Sequence, residues 1–475
     1  MGSLNPYDSE FSAHSGAAVT ESPLSKATST LAGNSPFYLW LRRLVDVEPA
    51  EVKALLWSFA YFFCLLCSYY IVRPMRDEMG IAGGVENLQW LFAGTFLVML
   101  AAVPLFGWVT SRYPRRQFLP YVYYFFIAQV SIFFVLFKSD ITHAYVARAF
   151  FIWASVFNLF IVSVFWSFMV DTFSSAQAKR LFGFIAAGGT TGALIGPVLT
   201  AALAIHLGTA NLLLVSAIFL GLAVLCVKKL IACQHTNVVQ PNATAKDLQT
   251  DEDKAMGGGL LAGLRLVLSS PYLLGVCLLM FLFTSLATFL YFQQATIIRD
   301  TFVDSAQRTA VFAAMDFAVN ALTITIQVFL TGRLVRFLGL GLALALIPVL
   351  LGVGFLVLGF SPVLTVLVVV QVLRRAGNYA IMRPAREMLY TVLGKEEKYK
   401  AKNFIDTAVY RGGDAVSAWA YAGLTALGLG LSAIAFVAVP LAGIWAGIAY
   451  MLGRKRETMA QQPIALHTVP AKGFA

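Results

Sequence analysis

Charge is scarce in this chain of 475 residues: Asp, Glu, Lys and Arg together make up 12%, against 59% hydrophobic residues. A soluble domain carries about 25% charged residues, so a water-soluble globular fold is excluded, and this apolar a chain does not stay disordered. Cysteine is sparse as well. The 5 thiols (Cys64, Cys67, Cys226, Cys233, Cys277) sit in or beside apolar runs, and an odd number so placed is no disulfide scaffold. Cys64 and Cys67 form a CxxC without nearby histidines and read as packing residues rather than a metal or redox centre. There is no phosphate-cradling GxxxxGK(S/T) loop. No catalytic residues, metal ligands or cofactor motif are assigned. The short alternating segments of a transmembrane barrel are missing too.

What fills the chain instead is long apolar runs. Twelve succeed one another at about 52–75, 84–109, 117–137, 143–170, 182–205, 209–227, 272–297, 306–331, 337–360, 363–391, 403–427 and 431–452. Each is long enough for ~30 Å of hydrocarbon at about 1.5 Å per residue. The expectation is an all-α polytopic membrane protein. Its parts are a disordered tail (1–36), an interfacial amphipathic segment (37–51), a six-helix half (52–227), a polar linker (228–265), a second six-helix half (266–453) and a tail (454–475). Residues 1–36 lack the apolar core of a signal peptide.

The net charge of +11 does not point to nucleic acid, because the basic residues gather in short loops. Arg112/Arg115/Arg116, Lys179/Arg180, Lys228/Lys229, Arg333/Arg336, Lys395/Lys398/Lys400/Lys402 and the terminal Arg454-Lys-Arg all fall on one side. The positive-inside rule makes that side the cytoplasm. Both termini are therefore expected inside, with the chain in the inner (cytoplasmic) membrane. The sequon Asn242-Ala-Thr falls on the same side and is discounted. Nothing in the sequence fixes an oligomeric state.

The halves look duplicated. Arg76-Asp77 and Arg299-Asp300 lie 223 residues apart, as do Ala178-Lys179 and Ala401-Lys402, while Gly188-Gly189 and Gly412-Gly413 agree within one residue. The stretch Gly107-Trp-Val-Thr-Ser-Arg112-Tyr-Pro-Arg115-Arg116 resembles the 2–3 loop of major-facilitator carriers, without its aspartate. A 6+6 pseudo-repeat with the substrate site between the halves implies a secondary transporter, not an enzyme. The glycine-rich Gly188-Gly-Thr-Thr-Gly192, inside the fifth span, is read as a close helix contact.

Charges within spans cost a few kcal/mol or more and face a cavity or a partner. The first span ends Ser68-Tyr-Tyr70-Ile-Val-Arg73-Pro-Met-Arg76-Asp77-Glu78, and the tenth carries Arg374, Arg375, Asn378, Tyr379, Arg383, Arg386 and Glu387. At 100° per residue Arg375, Tyr379, Arg383 and Arg386 lie within about 80° of one another. The eighth span adds Asp316, Asn320 and Gln327; the eleventh adds Asp406, Tyr410, Arg411 and Asp414. Two readings stand. The arginines bind an anionic substrate through bidentate guanidinium contacts, or they pair with Asp77, Glu387, Asp406 or Asp414 as gating bridges. Arg76, near the end of its span, could also snorkel to water. Asp316 is a candidate proton site or an arginine partner.

Asn378-Tyr-Ala-Ile-Met-Arg383-Pro-Ala-Arg386-Glu387-Met388-Leu-Tyr390, running on to Lys398-Tyr-Lys400-Ala-Lys402-Asn-Phe-Ile405-Asp406, resembles the ATP/ADP antiporter (nucleotide transporter) family. That family has K-Y-x-x-x-D-x-x-K-E-M-x-Y and then a lysine-spaced loop ending in I-D. Phe62-Phe63-Cys64 and Tyr70-Ile-Val-Arg73-Pro-Met-Arg76-Asp77 are similar to its F-F-C and Y-x-I-L-R-D-x-K-D. The resemblance places Arg76 at a functional lysine of the first span and Arg386-Glu387 at the Lys-Glu pair of the tenth. Arg383 and Pro74 stand where the family has aspartates, and Asn378 replaces a lysine. The expectation is an alternating-access carrier of an anionic, nucleotide-like or phosphorylated solute, with Arg73, Arg76, Tyr70, Arg375, Tyr379, Arg383 and Arg386 on the substrate. Asp77, Glu387, Asp406 and Asp414 would be the gating partners. The alternatives are a proton-coupled major-facilitator exporter of drug-like or lipid-like molecules using Asp316, and a receptor or scaffold on the carrier fold. On the first reading Arg383→Ala abolishes uptake while the protein still inserts and folds; uptake at the wild-type rate removes Arg383 from the site.

Overall fold

The computed structural model describes residues 36–112, 115–139, 143–236 and 260–461, and among these there is helix and no strand. The first half comprises α1 (Pro36–Leu44), α2 (Val52–Ala82), α3 (Leu88–Arg112), α4 (Arg115–Lys138), α5 (His143–Thr172), α6 (Ser175–Leu207) and α7 (Thr209–Thr236). The second comprises α8 (Leu260–Ser269), α9 (Pro271–Thr301), α10 (Ser305–Phe329), α11 (Thr331–Phe360), α12 (Leu364–Gly377), α13 (Arg383–Leu389), α14 (Lys395–Phe404), α15 (Tyr410–Ala426) and α16 (Leu431–Gln461). The expected N-terminal tail, the sequon, the middle of the linker and the last residues lie outside the described residues.

Eleven helical stretches among the described residues are long and apolar enough to cross a membrane. The remaining expected span, the eleventh, is helical from Lys395 to Ala426 but broken by a π turn at Ile405–Val409. Its lysine-rich start and the Arg411/Asp414 pair make it too polar to stand out. A second π turn, Asn378–Met382, joins α12 to α13, so these two form the tenth crossing. π turns are rare and favour functional sites.

Helix limits reflect local chemistry. Ser174 and Gln177 form a reciprocal capping box at the start of α6, Ser270 and Asp304 cap α9 and α10, and each satisfies a free N-terminal amide. This starts α6 at Ser175, ahead of the expected 182. More consequential is α2, which runs on to Ala82 through Pro74, past the expected end at 75. Arg76, Asp77 and Glu78 therefore lie inside the bundle rather than at its rim.

Two apolar cores form, one per half. They merge where Ile81, Val85, Leu88, Leu91 and Phe151 of the first half join the core of the second. All five sit toward the end of the bundle remote from the termini, the far end. Between the halves α3 packs on α15 and α10 packs on α6 and α2. The first two pairings map onto each other when the halves are exchanged, as a repeat requires.

The repeat is also written in glycine. A Cβ on Gly188 would come within 2.5 Å of the Phe59 carbonyl oxygen, and on Gly192 within 2.4 Å of the Phe63 carbonyl oxygen, so α6 presses backbone to backbone on α2. At the equivalent place in the second half, a Cβ on Gly413 of α15 would lie 2.4 Å from Thr284 Oγ1 of α9. The glycines serve close packing, as the sequence suggested. Gly192→Leu is expected to force α2 and α6 apart at a cost of about 1–3 kcal/mol or more. The measurement is a lowered unfolding midpoint in detergent; an unchanged midpoint would show that the helices do not touch there.

Candidate functional site

The middle of the bundle is organised by one carboxylate. Asp316, near the centre of α10, is 1% exposed. Its Oδ1 accepts from the Arg375 guanidinium of α12, and its Oδ2 lies 3.5 Å from Nε of Arg73 on α2. Arg375 comes from the same half as Asp316 and Arg73 from the other, so the cluster ties the halves together. Buried charge survives in low dielectric only when paired.

Around this knot lies a polar layer. Tyr70 carries the Arg73 guanidinium over its ring at 5.6 Å and donates from its hydroxyl to Asn320 Oδ1 at 3.4 Å. Asn320 in turn donates to the Ala193 carbonyl of α6 at 2.7 Å. Pro74 has no amide hydrogen, so the Tyr70 carbonyl loses its usual helical donor at this level. Arg374 donates to Gln371 at 2.9 Å, and Gln371 bonds Gln294 of α9. Tyr379 sits in the field of Arg73, Arg375 and Arg374.

Arg76 does not snorkel. It lies over the Phe151 ring at 4.1 Å and donates to Ser155 at 3.1 Å and to Asp77 at 3.2 Å. Phe151 and Ser155 belong to the interior of α5, and the length of α2 puts Arg76 level with them. Asp77 also accepts from the Tyr291 hydroxyl of α9 at 3.1 Å, a second link between halves. Asp77 thus does pair, with its own neighbour and across the interface.

The shared face expected for Arg375, Tyr379, Arg383 and Arg386 does not form. The π turn at Asn378–Met382 holds more residues per turn than an α-helix and rotates the residues beyond it. Arg375 and Arg386 are buried while Arg383 is exposed, and among the described residues Arg383 has neither ion pair nor hydrogen bond. Arg386 stands 4.0 Å from Asp406 and donates to Met280 Sδ at 2.8 Å. Glu387 takes Lys402 at 2.6 Å. Asp414 meets Arg411 at 3.8 Å and Thr288 at 3.4 Å. These three pairs stay within the second half and join no helix of the first.

The strongest far-end link had no forewarning in the residue pattern. Arg308 at the start of α10 donates to both oxygens of Glu78 in α2, at 2.7 and 2.8 Å. One of its terminal nitrogens also reaches the Phe302 and Val303 carbonyls at 3.2 Å. Glu78 is fully buried at 0% exposure. Trp90 and Trp419 meet edge to face with centroids 4.7 Å apart, and Phe92 packs on Tyr291 and Phe292. No spacing could pair residues 78 and 308. The only local signal was an acid, Glu78, adjoining Asp77.

The Major Facilitator Superfamily model matches residues 55–385, more than half of the chain. The chain belongs to this superfamily. Solved structures with the same fold include an auto-inhibited POT family peptide transporter (16% identity, TM-score 0.56, 89% of this chain and 99% of that one). The nucleoside transporter NupG, solved as a mutant, gives 12% identity and TM-score 0.53, over 86% of this chain and 99% of that one. A bacterial metal transporter gives 12% identity and TM-score 0.54, over 87% and 99%. At such identities the likeness is one of fold. No curated relative matches the chain. The protein is an integral membrane transporter of major-facilitator type, and its two halves are those of that fold.

Breaking the Glu78–Arg308 pair with Glu78→Gln is expected to loosen the far end. A cysteine at the buried Leu88 position, in a variant without native cysteines, should then react with an impermeant maleimide on the order of a hundredfold faster, since uncoupling a buried pair costs about 3–5 kcal/mol. Unchanged labelling would show that this pair does not hold the end closed.

Proposed function

We propose that this transporter moves an anionic solute, phosphorylated or nucleotide-like, by alternating access around the Arg73–Asp316–Arg375 cluster. One observation carries the reading: the central layer has more cations than anions. Among the described residues, Arg73, Arg76, Arg374, Arg375 and Arg411 face Asp77, Asp316 and Asp414 there, five cations to three anions. An unbalanced positive layer in low dielectric is costly, and an incoming anion relieves it. Phosphate or carboxylate oxygens accept two N–H groups from one guanidinium, and Asp316 now supplies the carboxylate that these arginines meet. The substrate and Asp316 then compete for the same two arginines, and release of Asp316 from Arg73 unties the halves. The resemblance of the first and tenth crossings to nucleotide carriers supports a phosphorylated cargo, with Tyr70 and Tyr379 as ring contacts.

With both termini taken as cytoplasmic, the merged cores and the Glu78–Arg308 pair close the outer end, and the conformation faces inward. Glu387, Asp406 and Asp414, held by Lys402, Arg386 and Arg411, are partners to be exchanged when the inner end closes.

A second reading has a basis of its own. Asp316 is almost fully buried, and its Oδ2 has no hydrogen-bond donor among the described residues. Protonation of this oxygen would free both arginines, so a proton could travel with the anion or drive export of another solute.

The test is uptake of labelled ATP into proteoliposomes preloaded with ADP, with empty and orthophosphate-loaded vesicles beside them and a panel of phosphorylated and carboxylated solutes as competitors. Uptake stimulated by an internal anion is expected, with Arg375→Ala lowering it on the order of a hundredfold, the usual loss when a buried charge partner is truncated. Uptake that needs a pH gradient, ignores every anion tested and vanishes in Asp316→Asn would replace this reading with proton-coupled export.

A further inference from the structure

The turn between α10 and α11 lies apart from the central site, yet its geometry is specific. Helix α11 is two helices joined at Gly339, whose φ of 72° and ψ of 170° break the run. An L side chain rarely adopts that φ, and glycine does so freely. Beyond the break the Leu340 amide donates to Glu457 Oε1 of α16 at 3.0 Å, so a carboxylate caps the restarted helix. The span proper thus begins near Leu340. Residues 331–338 form a separate helical turn at the end of the bundle that carries the termini.

That turn presents Arg333 and Arg336 three residues apart, hence on one face. Both are exposed, and among the described residues neither has an ion pair or hydrogen bond. Beneath them lies a half-open cavity of about 420 Å³ lined by Val328, Phe329, Gly332, Arg333, Arg336 and Phe337. Its apolar walls are open to the surroundings: Val328 is 68%, Phe329 65% and Phe337 82% exposed. Two unpaired cations above an apolar trough, at the depth where a span ends, match one kind of molecule. A diester phosphate answers the guanidiniums and acyl chains answer the phenyl rings.

We propose that this cavity binds an anionic phospholipid of the leaflet at the termini-bearing end, with its phosphate between Arg333 and Arg336 and its chains along Val328, Phe329 and Phe337. The charge favours an anionic over a zwitterionic headgroup, because each nearby Lys or Arg attracts anionic lipid and basic pockets between spans collect such headgroups. The position adds a consequence. Helix α10 ends in this cavity and also carries Asp316, Asn320 and Arg308, so a lipid seated here holds the helix that ties the halves together.

The test is native mass spectrometry and spin-label retention of phosphatidylglycerol against phosphatidylcholine on the full chain. Wild type is expected to prefer phosphatidylglycerol on the order of tenfold. R333Q/R336Q should lose that preference, while R333K/R336K and the control R42Q/R43Q, on the amphipathic α1, keep it. Equal chromatographic behaviour and melting of all variants shows that folding is not the cause. An equal loss in R42Q/R43Q would reduce the effect to general surface charge and overturn the site. Displacement of the lipid by millimolar inorganic phosphate would show an oxyanion site instead. The readout is independent of transport, so it stands or falls apart from the proposed cargo.

Discussion

A carboxylate buried among apolar helices has to be neutralised where it stands, and Asp316 is neutralised by two arginines from opposite halves of the molecule. With 1% of its side chain exposed, water cannot do the work, and the cost of an unpaired charge there exceeds any single packing contact. The arrangement dictates much of what surrounds it. Helix α2 must run unbroken from Val52 to bring Arg73 to depth, and α10 must pack against both α2 and α6. The tenth crossing has to present Arg375 inward before its π turn changes the register. A link that is charged and shared can be broken by a competing anion or by a proton, which a purely apolar contact could not.

The same economy governs the two ends. At the far end the Glu78–Arg308 fork, the Asp77–Tyr291 bond and the Trp90–Trp419 contact join the halves. Nearer the termini, Lys402–Glu387 and Arg386–Asp406 stay within the second half. Charges held inside one half can change partners without unfolding anything. Rigid halves also need dense internal seams, and the glycines of α6 and α15 provide them by letting helices approach closely. The two π turns fall in the tenth and eleventh crossings beside these within-half pairs.

Several features were legible in the chain and several were not, for reasons particular to each. The glycine run Gly188–Gly192 reads as a close contact because nothing else in an apolar helix needs five small or polar residues in a row. The arginines of the first and tenth crossings were conspicuous because charge is rare there. The shared face of Arg375, Tyr379, Arg383 and Arg386 failed because a constant 100° step assumes an unbroken α-helix, and the π turn that spoils it has no sequence mark. The end of the first span was set too early because Arg76, with Asp77 and Glu78 after it, was counted as the start of water. In the folded bundle their partners, Ser155, Tyr291 and Arg308, make the interior polar enough to hold them.

Solvent and class can be read from the chain without any coordinates. Scarce charge, long apolar runs and a 223-residue echo leave only a helical, twice-repeated membrane protein, because backbone hydrogen bonds in lipid must be met within the segment. Which charges meet is a matter of packing in three dimensions. Asp316 and Arg73 are 243 residues apart along the chain, and Glu78 and Arg308 are 230 apart. Partner choice at such separations depends on helix packing angles and depths, and those are set by the whole bundle rather than by any local pattern.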